Sequence, residues 1–198
     1  MAGFIKPSLM DLFTLLVTYF ILAVPLMTLA YLLSGTFEIT HKELDANFAE
    51  RLIRGILLAP LIEETLFRLI YVFNKRNLGL ILLTSIALTV FFLFRDNIAK
   101  QIIFAASALT ACILLLVFSR SREFFNNHFR FFFYSIAFAF GILHIFNFNG
   151  ITGPITLLSL FFVLPQLVLG IILGYVRLTY GFIYAVLFHA VVNLPVLI

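Results

Sequence analysis

The chain has 198 residues, 63% of them hydrophobic and only 11% charged, with 26 Phe, no Trp and a mean hydropathy of +1.15. A soluble domain of this size has no interior large enough for that much apolar surface, so a water-soluble fold is excluded. The net charge of +4 comes from short Lys/Arg pairs between apolar segments rather than from a basic run, which excludes a nucleic-acid-binding surface and fits the loops of a membrane protein.

Seven apolar segments follow in chain order, at about 10–33, 52–73, 78–94, 101–118, 131–148, 155–176 and 181–198. Several reach the roughly 17–25 residues needed to cross a bilayer. They predict an all-α fold, a polytopic bundle of about seven transmembrane helices. The whole chain, 1–198, forms one membrane-embedded domain with its core at about 52–73 and 131–198. The first run is too long for a signal-peptide core and reads as a retained span, started by Ser8 and Asp11. The longest polar interval, "GTFEITHKELDANFAER" at 35–51, reads as a loop or a surface-lying segment, and "SRSREFFNNHFR" reads as a loop. Cys112, the only cysteine, permits no internal disulfide and reads as packing. Lys6, Lys75, Arg76, Arg120, Arg122, Arg130 and Arg177 fall on one side of this topology, against Lys42, Arg51, Arg54, Arg95 and Lys100 on the other. That excess favours a cytoplasmic N-terminus.

The stretch "APLIEETLFRLI", 59–70, breaks the apolar pattern. A charge at the centre of a spanning helix costs roughly 2.5–3.5 kcal/mol, and each apolar residue returns about 0.3–0.6. Glu63, Glu64 and Arg68 therefore consume most of what their own helix gains, and groups of this kind face a bundle interior. Glu64 and Arg68, four apart, share a face and can form a structural ion pair. Glu63 points about 100° away and needs another partner. Pro60, three residues earlier, removes one helix hydrogen bond and frees a carbonyl near Ile56.

Polar residues at depth recur twice more. "FAFGILHIFNFNG" places His144 one turn after Phe140, and "GFIYAVLFHAVVNLP" places His189 and Asn193 four apart on one face. A lone histidine here would be an ordinary core residue. Two His, an Asn and a Glu on three helices are satisfied together most cheaply around one polar pocket. Gly170 and Gly174 have the spacing that lets helices approach closely, either toward that pocket or as a dimer face. Gln166, one turn earlier, is placed to reach it.

In order along the chain, "EETLFR", "FGILH" and "HAVVN" read as EExxxR, FxxxH and HxxxN. This pattern resembles the CPBP family of intramembrane proteases, which includes the CAAX prenyl endopeptidases of the Ras-converting type and bacteriocin-processing or self-immunity proteins. The likeness covers about 55–73 and 135–198. It implies an intramembrane endopeptidase in the bacterial cell membrane, acting on a membrane-associated peptide or protein that can be lipidated. Carried over, Glu63 is the general base that activates water, helped by His144. His189 and Asn193 bind the developing oxyanion, while Glu64 and Arg68 orient the site beside the motif residue Phe140. Three departures stand out: Leu69 follows the motif Arg where Gly is common; Gly181-Phe182 and Tyr184 stand where Gly-Ser and Trp are common; and two extra spans separate Glu63 from His144, preserving the parity of their helices.

These residue types suit peptide hydrolysis. A carboxylate in a poorly hydrated cavity is a stronger base than one in water, and N–H donors aimed at an oxyanion are worth about 3–4 kcal/mol each. The expectation is catalysis with no cofactor. The rival is zinc held by Glu63, His144 and His189 with an open fourth position, although no HExxH is present. A non-enzymatic self-immunity protein is the alternative function, needing the fold but not the base. A proton-coupled transporter is the third, and no internal repeat supports it.

Overall fold

The computed structural model describes residues 4–37, 39–41, 47–95, 97–149 and 155–197. They are almost entirely helical. The helices are α1 (Leu9–Phe37), α2 (Phe48–Leu52), α3 (Ala59–Arg68), α4 (Lys75–Leu93), α5 (Ile98–Leu116), α6 (Phe118–Asn127), α7 (Phe129–Leu143), α8 (Ile155–Thr179) and α9 (Phe182–Leu197). One ribbon of two residues a side pairs β1 (Thr40–His41) with β2 (Phe148–Asn149), antiparallel, Thr40 opposite Asn149. The expected all-α bundle is what the chain forms.

Five segments are long and apolar enough to cross a membrane: Leu9–Gly35, Lys75–Leu93, Ile98–Leu116, Phe129–Asn147 and Leu160–Thr179. The expected count of seven is not reached on those grounds. α9 is only 16 residues long, and the rod from Phe48 to Arg68 carries six charged side chains. One interval expected to be a loop is helical, and so is part of the one expected to be a loop or a surface-lying segment. "SRSREFFNN" forms most of α6, whose Phe125 is buried while its arginines face outward. Part of 35–51 belongs to α1, β1 and α2; residues 38 and 42–46 of that interval lie outside the described set.

Caps fix several helix starts. Ser8 N–H donates to Asp11 Oδ2 at 2.9 Å and Asp11 N–H to Ser8 Oγ at 3.1 Å, a reciprocal box at the head of α1. Asn47, Asn74 and Asn97 accept from the third residue of α2, α4 and α5 in the same manner. Gly181, at φ +105°, makes the turn from α8 into α9.

Between α2 and α3 the rod widens into a π turn, Ile53–Leu58. There Ala59 N–H bonds to Arg54 O, five residues back. One step on in that register, Pro60 stands over Gly55 O with no N–H to offer. Asn193 Nδ2 supplies the missing donor to Gly55 O at 2.9 Å. The carbonyl that Pro60 frees, expected near Ile56, is that of its neighbour Gly55, because the π register shifts it by one residue.

Helix directions follow from the contacts. Tyr71 stacks on Phe133, its hydroxyl donating to Phe133 O, whereas Glu63 meets His144. Residue numbers fall along α3 as they rise along α7, so the two run antiparallel, and α9 is antiparallel to α3 by the same reasoning. The hairpin of α4 and α5, joined by Ser85 and Ser107 at 2.9 Å and by stacked Phe92 and Phe104, lies outside this trio. Of α5 only Ala111 is buried.

The glycines of α8 act inside the bundle. A Cβ on Gly170 would stand 3.1 Å from Ala137 O, and one on Gly174 would stand 2.6 Å from the Phe133 ring. Both therefore seat α8 against α7 rather than forming a dimer face. Two apolar cores result. Tyr19, Ala23, Leu169, Leu173, Ala185 and Phe188 join α1, α8 and α9; Tyr71, Phe73, Leu78, Ile81 and Phe125 join the end of α3 to α4, α6 and α7.

Candidate active site

Each polar side chain of the candidate site comes from a different helix face for a local reason. Glu63 and Glu64 are adjacent on α3, so their carboxylates diverge by about 100°. Glu64 turns into the bundle and is fully buried, whereas Glu63 keeps 27% of its side chain exposed. His144 ends α7, where a short 3-10 turn, His144–Asn147, takes over. His189 lies two turns into α9 and is 2% exposed.

Glu64 stands between two cationic or protonatable groups. It accepts a hydrogen bond from His189 Nδ1 at Oε1, 2.9 Å, and faces Arg68 Nε from Oε2 at 3.6 Å. Arg68 is itself fully buried, its guanidinium lying over the Phe140 ring at 3.8 Å from the centroid. Its three nitrogens and Glu64 Oε2 have no hydrogen-bond partner among the described residues, so charge and the π face hold it in place. Phe140 also meets the His144 and His189 rings edge-on, at 4.7 and 5.9 Å. This ring is the floor on which the ion pair and both imidazoles rest.

Glu63 finds its partner among the histidines. Its Oε2 lies 3.8 Å from His144 Nε2 and 3.7 Å from His189 Nε2. The other nitrogen of each ring is already bonded: His144 Nδ1 donates to Phe140 O at 2.8 Å, and His189 Nδ1 donates to Glu64. With Nδ1 of each ring committed to those acceptors, Nε2 of both rings is turned toward Glu63. Glu63 Oε2 has no hydrogen-bond donor among the described residues. Glu63 Oε2 and two imidazole Nε2 atoms thus face one point, at distances that a single water can bridge.

Of the residues singled out in the sequence, Glu63, Glu64, Arg68, Phe140, His144 and His189 meet directly. Asn193 does not meet them directly: one amide N–H is committed to Gly55 O, and among the described residues no hydrogen bond ties its side chain to the cluster. Gln166 makes no hydrogen bond among the described residues and is not drawn into the cluster. One residue that sequence reasoning passed over is Gly55, whose carbonyl ties α9 to the π turn. The only signal for it was Pro60, five residues on.

The atoms facing Glu63 also bear on zinc. In a tetrahedral site with bonds of about 2.0–2.1 Å, neighbouring ligand atoms lie about 3.4 Å apart; here they are 3.7 and 3.8 Å apart. Among the described residues no three His, Cys, Asp or Glu side chains are arranged to hold a metal ion. No protein-family model matches the chain, and neither does any curated protein or solved structure.

Proposed function

We propose that this chain is an intramembrane endopeptidase of the CPBP/CAAX type that hydrolyses a peptide bond of a membrane-associated substrate with water activated by Glu63. The observation that carries the reading is the position of Glu63 Oε2 between two imidazole Nε2 atoms whose Nδ1 atoms are both held. A water at that point gives one proton toward Glu63 and is oriented by His144. Its oxygen attacks the scissile carbonyl as Glu63 takes the proton. The carbonyl oxygen becomes negative. His189 in its imidazolium form donates Nδ1–H to Glu64 and Nε2–H to that oxyanion, so the Glu64 carboxylate supports the form that does the work. The free N–H of Asn193 is the second candidate donor. Glu63 then passes its proton to the leaving amine, and the carboxylate is restored.

Partial exposure of Glu63 and His144, against near-complete burial of Glu64, Arg68 and His189, supports a division of labour. The first pair meets substrate and water, and the second set fixes geometry. The test is reconstitution into proteoliposomes with solubilised membrane proteins, reading new N-termini by mass spectrometry. The native chain yields cleavage products that Glu63→Gln does not, and a strong zinc chelator leaves them unchanged. Full cleavage by Glu63→Gln overturns the reading. Protection of cells against a bacteriocin that survives Glu63→Gln supports the self-immunity alternative, which uses the fold without the base.

A further inference from the structure

A groove of about 570 Å³ lies on the far side of α3 from the candidate active site, between α3, α4 and the start of α9. That volume is within the roughly 300–1,000 Å³ usual for ligand sites. Its walls change character along their length. At one end are Asn74, Arg76, Asn77 and Arg177, with Phe4 and Phe182; at the other are Leu61, Ile62, Thr65, Leu80 and Thr84. Eight residues of helix separate Arg76 from Thr84 and Leu61 from Leu69, so the apolar part extends about 12 Å from the polar end.

The polar end is short of negative charge. Asn77 satisfies itself by donating to Leu69 O and Val72 O, and Asn74 caps α4. Arg177 is only 4% exposed, gripped between the rings of Phe4 and Phe182 at 5.4 and 5.7 Å. Its Nε donates to Arg68 O at 3.3 Å, and its terminal nitrogens have no acceptor among the described residues. Arg76 is exposed at the mouth, and among the described residues neither arginine is in an ion pair. A buried guanidinium with free donors, a second one at the rim and an apolar slot below match a phosphate attached to a hydrocarbon chain.

From this geometry we infer that the groove is a binding site for an anionic glycerophospholipid, its headgroup phosphate held by Arg76 and Arg177 and one acyl chain laid along Leu61, Ile62, Thr65, Leu80 and Thr84. The exposed sides of Leu61 and Leu80 open the slot sideways, so a lipid enters from the bilayer without leaving it. The site also abuts the catalytic helix: Arg177 holds the carbonyl of Arg68, the residue whose side chain faces Glu64. Lipid binding stands apart from the protease reading and is measured without any cleavage assay.

The experiment uses the full chain in a neutral detergent. Phosphatidylglycerol, phosphatidylcholine, palmitate or inorganic phosphate is added, with thermal unfolding and native mass spectrometry as readouts. Phosphatidylglycerol at about 100-fold excess over its Kd raises the melting midpoint by roughly 5 °C or more and remains as one bound molecule. Arg76→Gln, which alters only an exposed charge, and Thr84→Trp, which fills the slot, each remove at least half of that shift. Equal shifts with phosphatidylcholine and phosphatidylglycerol, or a full shift in both variants, overturn the site. A full effect from inorganic phosphate alone, or from palmitate alone, overturns the assignment to a phospholipid.

Discussion

Glu63 and Glu64 are neighbours with opposite energetic roles, and the difference is set by what each touches. Glu64 is fully buried against an equally buried Arg68. Replacing it with Gln strands the guanidinium in a low-dielectric interior, a loss of about 3–5 kcal/mol. A fall of at least about 6 °C in the melting midpoint in detergent is the expected result. Glu63 Oε2 has no donor among the described residues, so Glu63→Gln shifts the same midpoint by less than about 2 °C while removing cleavage. A comparable fall in both variants would show that Glu63 is structural. Phe140 belongs to the same argument, because a desolvated cation over an aromatic face is worth about 2 kcal/mol and no hydrogen bond shares the load. The motif carboxylates and imidazoles were legible in the sequence because charge in an apolar helix is costly. Phe140 stood out too, as the first residue of the FxxxH spacing, but that its ring is the floor under all of them was not legible, since nothing in the sequence places a guanidinium above it.

At the level of elements, the π turn and α9 depend on one another. Asn193 donates to Gly55 across 138 residues of sequence, replacing the N–H that Pro60 lacks. Asn193→Ala leaves that carbonyl bare and lowers stability by about 1–2 kcal/mol. Pro60→Ala in the same chain restores a donor and recovers most of that loss, as thermal unfolding of the single and double variants will record. Cleavage does not return with it if the second Asn193 N–H serves the oxyanion. Additive losses in the double variant would mean that Pro60 and Asn193 act independently. The sequence located the break and the neighbourhood of the freed carbonyl, because proline cannot donate, but not the π register that selects Gly55. A π register depends on the tertiary partner that holds it open. α6 was misread for a related reason: its arginines and asparagines suit a loop, yet Phe125 anchors one face of it beneath α7, with rings of Phe73 and Phe132 at 5.0 and 4.9 Å.

For the molecule as a whole, the order of helices fixes which ends share a membrane face. Phe4, Asn74, α6 and Gly181 fall at one end, and the ribbon, the π turn and the α4–α5 loop at the other. Single cysteines at Arg76 and Arg122, in a chain with Cys112→Ala, are expected to react with an impermeant maleimide from the same side of sealed vesicles. Cysteines at Arg95 and Arg51 react from the opposite side. Labelling of positions 76 and 95 from one side would break the hairpin of α4 and α5 and with it the topology. The shared polar end of the groove, with Arg76 and Arg177, faces the same side as Phe4, where the arginines of α6 also stand.

Composition alone determined that this chain lives in a bilayer as a helical bundle, because no other medium accommodates 63% hydrophobic residues in 198. Periodicity and the price of charge in lipid singled out Glu63, Glu64, Arg68, His144, His189 and Asn193. What only the tertiary structure decided is how those groups divide their work. Glu64 serves Arg68 and His189, Glu63 faces two Nε2 atoms, and Asn193 mends a backbone gap. Spacing along one helix fixes which side chains share a face, but the partner on another helix is chosen by packing, and here Phe140, Gly170 and Gly174 set how closely those helices meet.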